Sequence, residues 1–485
     1  MSPSPSTWPA RRWWALGVLS LTQFMVAVDA TVISIALPWA QRDLGFSAGD
    51  RQWLITAYVL AFGSLLLLGG RLSDVWGRRP SLLVGLVGFA LASALGGDAH
   101  AFDTLVTARA LQGLFAALLA PAALATVSDT FVDARERARA FSIFGAVAGS
   151  GAVLGLILGG ALTQWASWRW CLNFNLIVAA VAAIGVVIWV DATRAERRAN
   201  LDALGTLLAS GGLFFVVNGF SRAVNVGWAD GSSWGSLVGG GVLVVAFVAW
   251  QRRAPSPLLP LRLLLNRTRG GSQVALFTTS LGVYSLSLFL AYYLQNTLGD
   301  SPLRTGVYFL PLVIALGLSA SLASARLLAM VGPRPLVPVG LLMGMLGMAL
   351  FTKLTPGADY LGSVLPGLVL TGLGLGLILA PATASATAGV AARDVGAASA
   401  LVNTSQQVGA SIGTALLNTI AVTVTSRYLR APHVGNDASV LTAATLHGYA
   451  VAFWWAAGFF GAGAVVAFGL LESGAARTDA EPVPA

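Results

Sequence analysis

The chain has 485 residues, of which 56% are hydrophobic and only 10% charged, and its mean hydropathy is +0.76. A soluble protein needs about 25% charged residues to cover its surface, so this composition excludes a water-soluble enzyme or binding domain and implies lipid around most of the molecule. The net charge of +9 does not indicate a nucleic-acid binder, because the basic residues sit in short loops between apolar runs.

An apolar run of about 20 residues crosses the hydrocarbon core as a helix. In chain order such runs lie near 13–38, 51–70, 80–97, 103–127, 140–162 and 171–190, then near 203–221 and 233–250. Six more follow near 272–296, 303–325, 335–352, 361–388, 397–425 and 447–471. The expected architecture is an all-α polytopic membrane protein with fourteen spans. The first run is too long for the apolar stretch of a signal peptide and is expected to remain as a span. With the N-terminus inside, twenty basic residues fall on the cytoplasmic face, eight on the other, and Arg109 inside a span. That bias puts both termini in the cytoplasm of a cell-membrane protein.

Span one carries Asp29, about 9 residues from its outer end, or roughly 13 Å deep at 1.5 Å per residue. A carboxylate at such depth costs about 2.5–3.5 kcal/mol on insertion and usually faces a cavity. Proton and cationic substrate can compete for it, which would couple their movements. Arg109 in span four lies at a similar depth, roughly 9 Å from the same surface, and Gln112 follows it on the same helical face. The expectation is a pair, Asp29 with Arg109, in which Gln112 holds the guanidinium when the carboxylate is protonated.

Spans two and three are joined by Gly70-Arg71-Leu72-Ser73-Asp74-Val75-Trp76-Gly77-Arg78-Arg79-Pro80. A weaker copy, Ala325 to Pro335, follows span ten and repeats Arg71 as Arg326, Gly77 as Gly332, Arg79 as Arg334 and Pro80 as Pro335. Gly77 suits a tight turn. The repeat divides the chain into an N-terminal half of six helices, 13–190, a two-helix insertion, 203–250, a C-terminal half of six helices, 272–471, and a tail, 472–485. Duplicated halves around a midplane site are the architecture of secondary transporters.

Candidate substrate-facing residues are Asn175 in span six, Tyr292, Tyr293, Gln295 and Asn296 in span nine, and Asn403, Gln406 and Gln407 in span thirteen. Aromatic faces with a few amides suit flat amphipathic molecules, including organic cations. They equally serve as interfacial anchors and helix bridges. Cys171 is the only cysteine, the three histidines have no clustered partners, and no phosphate-binding run of the type G-x-x-x-x-G-K-[ST] occurs. No cofactor, metal or ATP drive is expected; the partners are a small amphipathic substrate, protons and the bilayer.

The loop Gly70 to Arg79 resembles the signature of the major facilitator superfamily. Asp29-Ala30-Thr31 with Ala36-Leu37-Pro38, Arg109-Ala110-Leu111-Gln112-Gly113, Trp168-Arg169-Trp170 with Asn175, Ser301 to Gly306, and Asn403 to Gly409 are similar to motifs of its fourteen-span drug:proton antiporter family. The resemblance covers nearly the whole chain in order. It implies two six-helix halves, spans one and four lining a central cavity, and a gating role for Gly70, Arg71, Asp74, Gly77, Arg78 and Arg79. Two positions depart from the pattern: Ser34 replaces an asparagine, and span five has Gly155-Leu156 in place of a Gly-Pro pair. The function implied is proton-driven export of drugs or antibiotics by alternating access. A dedicated exporter of one endogenous metabolite and a proton-coupled importer remain the alternatives; the lack of a clustered nucleophile, base or metal set argues against an enzyme.

Overall fold

The computed structural model describes residues 9–131, 133–191, 202–255, 257, 261, 265–323, 327–388, 390, 395–430 and 437–472. Among them every regular element is helical, as hydrocarbon requires, because a membrane core offers no water to backbone N–H and C=O groups. The first eight helices are α1 (Pro9–Leu44), α2 (Trp53–Trp76), α3 (Arg78–Gly97), α4 (Phe102–Thr130), α5 (Ala134–Trp165), α6 (Trp170–Trp189), α7 (Ala203–Asn225) and α8 (Gly231–Gln251). Then come α9 (Arg267–Tyr292), which ends in a π turn at Tyr293–Thr297, α10 (Pro302–Tyr308) and α11 (Leu310–Leu322). The short α12 (Leu328–Val331) leads into α13 (Pro333–Phe351), and a second π turn, Tyr360–Val364, opens α14 (Leu365–Thr387). The last two are α15 (Val395–Leu429) and α16 (Ala438–Leu470).

Twelve helical segments of the described residues are long and apolar enough to cross a membrane. The two remaining expected spans fall on α2 and α5, whose qualifying stretches are the shorter Trp53–Leu66 and Leu154–Trp165. Among the described residues twelve segments therefore meet both criteria, and α2 and α5 meet the apolarity criterion over shorter stretches.

The chain forms two compact units. One comprises Met1–Leu258, Ser287–Tyr308 and Thr414–Thr419; the other comprises Leu259–Leu286, Phe309–Gly413 and Ile420–Ala485. In the first unit α1 lies against α5 along a line of glycines. A Cβ on Gly151 would sit 3.1 Å from the Phe24 carbonyl, one on Gly159 would sit 2.8 Å from that of Val32, and one on Gly155 would collide with Thr31. Span five thus uses its glycines, Gly155 among them, to bring backbones together, while Leu156 stands where the antiporter pattern has a proline. The second unit packs the same way: Gly413 lies on the Leu281 carbonyl, Gly376 on that of Leu316, and Gly340 against Gly374.

The repeated loop has a structural counterpart in both units. Gly77 separates α2 from α3 at φ 92°, and Gly332 separates α12 from α13 at φ 73°, a region that residues with a side chain rarely enter.

Candidate functional site

Five helices of the first unit converge on Asp29. It sits in the middle of α1 and is wholly buried, as are Gln112 and Asn175; Arg109 is 1% exposed. Arg109 Nη1 donates to Asp29 Oδ2 at 2.7 Å. Asp29 Oδ1 accepts from Gln112 Nε2 at 3.0 Å and from Asn175 Nδ2 at 2.7 Å. All three contacts set an N–H donor against a carboxylate oxygen. Ser93 of α3 stands behind these amides, its Oγ 2.7 Å from Gln112 Nε2 and 3.4 Å from Asn175 Nδ2.

Arg109 is held from the other side as well. Its Nε donates to the Leu54 carbonyl at 3.0 Å and its Nη1 to Gln112 Oε1 at 2.9 Å. Its guanidinium lies 4.4 Å from the centre of the Tyr58 ring on α2, a favourable position for a cation. Arg109 and Gln112 are three residues apart and share one face of α4, which is why a single helix supplies both. Such a buried pair holds only when each remaining lone pair and proton is matched. Among Asp29, Ser93, Arg109, Gln112 and Asn175, the Asn175 Oδ1 is the atom that lacks a hydrogen-bond partner.

The structure thus brings together Asp29, Arg109, Gln112 and Asn175. Reasoning from sequence missed Tyr58 and Ser93. The one signal for them is a polar or aromatic group in the middle of an apolar span, a pattern shared with many packing residues.

The loop residues sit apart from this cluster. Ser73 Oγ donates to the Gly70 carbonyl at 2.8 Å, and Arg78 joins Ser73 Oγ at 2.8 Å to Asp129 Oδ2 at 3.3 Å. Arg79 donates to the Val187 carbonyl at 2.7 Å, satisfying the last turn of α6 with the charge that a helix C-terminus favours. The side chains of Arg71 and Asp74 lie outside those described, as do Arg326 and the tail beyond residue 472.

The span-nine candidates gather at the end of α1. Tyr292 donates to Gln41, Arg42 donates to Asn296, and Gln295 Nε2 donates to the Ile35 carbonyl at 3.0 Å. Tyr293 is buried. Of this set Gln295 borders a cavity of about 450 Å³, walled also by Trp39, Arg42, Gln164 and Asp300. In the second unit Asn403 is exposed, Gln406 half-buried and Gln407 buried. Among the described residues no group of three or more His, Cys, Asp or Glu side chains could hold a metal ion.

The family model "Major Facilitator Superfamily" matches residues 19–414. The chain belongs to that superfamily. Its fold agrees: a bacterial homologue of the human lysosomal transporter Spinster, solved in an inward-facing and unoccupied conformation, superposes with a TM-score of 0.66 at 17% identity. That match covers 95% of this chain and 97% of the other. The puromycin resistance protein pur8 of Streptomyces alboniger is 48% identical over 97% of this chain and 93% of its own length. The cephamycin export protein CmcT of Amycolatopsis lactamdurans is 36% identical over 85% of each. As a member of the superfamily the protein is a multi-pass membrane transporter and not an enzyme.

Proposed function

We propose that this transporter exports amphipathic drugs or antibiotics in exchange for protons, by alternating access, with fourteen spans and both termini in the cytoplasm. The observation that carries the reading is the ion pair of Asp29 and Arg109, closed off from solvent and ligated by four neighbouring helices. A fixed scaffold has no need of it, because well-packed apolar residues fill such a site at equal or lower free energy. A titratable carboxylate there gives the helices two arrangements.

In the ionised arrangement Asp29 fastens α1 to α4 and α6. A proton arriving from outside converts one oxygen into a donor. Asn175, whose Oδ1 has no partner to lose, then rotates its amide to accept that O–H. Arg109 keeps Leu54, Gln112 and the face of Tyr58 while its ionic partner disappears. The link between α1 and α4 weakens, the half rearranges, and loss of the proton to the cytoplasm restores it. With Asp29 wholly buried, substrate does not reach the carboxylate in this conformation. Coupling through helix movement is therefore favoured over direct competition for one carboxylate. Gly70, Arg71, Asp74, Gly77, Arg78 and Arg79 form the cytoplasmic gate in this scheme.

The substrate class rests on the relatives. Two of them carry the names of single antibiotics, puromycin and cephamycin, which also favours the narrower reading of an exporter dedicated to one such compound. The test is a pH gradient across inverted vesicles holding the protein, with lumenal pH followed as puromycin, a cephamycin and a panel of lipophilic cations are added. Substrate-dependent proton release that falls to background in Asp29→Asn is expected. Release that survives the substitution removes Asp29 from the coupling role, and a response to a single antibiotic selects the dedicated exporter.

A further inference from the structure

A second buried charge lies in the first unit, well apart in sequence from the coupling pair. Arg51 sits in the turn between α1 and α2 and is 4% exposed. A loop arginine near a membrane surface ordinarily reaches water; this one points inward. Its Nε donates to Asn418 Oδ1 of α15 at 2.9 Å. Its guanidinium lies 4.3 Å from the centre of the Tyr292 ring and 5.9 Å from that of Phe289, both on α9. Asn418 Nδ2 in turn donates to the Ala48 carbonyl at 3.2 Å and to Gln52 Oε1 at 3.3 Å. Tyr292 is tied by its hydroxyl to Gln41 of α1.

The partners come from opposite halves of the sequence. Gln41 to Gln52 belong to the N-terminal half, and Tyr292 and Asn418 to the C-terminal half. We infer that Arg51 is a positioning residue of the transport cycle, the latch that holds the outer ends of α9 and α15 onto the α1–α2 turn. The inference rests on the alternating-access reading above, in which these ends must part for substrate to leave. Guanidinium suits a latch because its planar face stacks on Tyr292 while its edge bonds Asn418. Both contacts are directional, so the latch is lost as a unit when the ends separate.

The test places spin labels at two exposed positions, His100→Cys and Arg304→Cys, in a Cys171→Ala background, and measures their distance distribution in lipid nanodiscs. The parent is expected to show mainly one short distance. Arg51→Ala is expected to raise a longer distance from a minority to the majority. Arg51→Lys, which keeps the charge but loses the planar fork, falls between them. An Arg51→Ala distribution that superposes on the parent overturns the latch. Should Arg51→Ala fail to fold, Asn418→Leu and Tyr292→Leu carry the same expectation, and unchanged distances in both overturn it equally. Asp29 is intact in all these proteins, so proton release by Asp29→Asn is scored separately. A failed latch leaves the coupling reading standing, and a failed coupling role leaves the distance result valid.

Discussion

The two compact units are built from the same kind of helix but spend their polar groups differently. Among the described residues, every buried charged side chain, Asp29, Arg51, Arg109 and Asp202, lies in the first unit. The buried polar groups described in the second unit are uncharged, such as Gln273, Thr278, Thr371 and Gln407. There the close approaches run through glycine: Gly413 on Leu281, Gly376 on Leu316, Gly340 on Gly374. Asp202 shows that burial alone does not make a charge functional. It caps α7 through the Gly205 N–H at 2.8 Å and ties α8 through Trp250 Nε1 and Gln251 Nε2, each at 2.7 Å. Asp29 differs in facing a cation, and it joins α1 to Arg109 and Gln112 of α4 and to Asn175 of α6. Both units close helices together through glycine, and the first adds buried charge to those contacts.

The largest effect that would break this comparison is at the pair itself. Arg109→Ala leaves Asp29 buried without its cation, and removing one member of a buried pair costs about 3–5 kcal/mol. The expected outcome is a severe loss of folded protein in detergent, read by size-exclusion chromatography and thermal melting. Combining Asp29→Asn with Arg109→Gln removes both charges and should recover most of the folded protein while leaving proton release at background. If the double variant still couples, charge in the first unit is structural only.

The glycine contacts give a smaller effect and test the second half of the comparison. Gly155→Leu drives a side chain into Thr31 and the Val28 carbonyl beside the coupling helix; Gly413→Leu does the same to Leu281 in the second unit. Overpacking of this kind costs roughly 1–3 kcal/mol. Both variants are expected to melt earlier by similar amounts. Among molecules that remain folded, only Gly155→Leu should alter the proton-release rate, because it displaces α1. Equal effects on rate would mean that the two units share the coupling element.

What was legible in the sequence follows the same division. Asp29 and Arg109 announce themselves because a charge within an apolar run is expensive, and Gln112 follows from helical spacing. The turn at Gly77 and its copy at Gly332 were readable through the repeat. Tyr58 and Ser93 were not, since such residues occur throughout apolar spans and only tertiary packing selects those that face Arg109 or the amides. Arg51 was hidden for the opposite reason. It sits in a loop where arginine is ordinary, and nothing in a linear chain tells an arginine turned inward from one in water. The contact of Asn175 with Asp29 was not legible, because its neighbours come from helices far away in sequence.

The smallest effect concerns a carboxylate at the edge of the first unit. Asp300, between α9 and α10, is held above the ordinary carboxylate range by burial, an effect that Arg304 partly offsets. Arg304 Nη1 lies 3.3 Å away but is itself 64% exposed, so screening by water keeps its contribution small. For an acid whose folded value is raised, the folded state binds the proton more tightly than the unfolded chain. Stability then falls as pH rises from the ordinary carboxylate value through the raised one, and levels off above it. Asp300→Asn should remove that decline and leave the protein slightly more stable at neutral pH, by less than about 1 kcal/mol. Melting temperatures of the two proteins, measured across the acid range, check it. A loss of stability at neutral pH would show that Asp300 supports the fold as a charge, as Asp202 does, and that the fastening of the first unit extends beyond its centre.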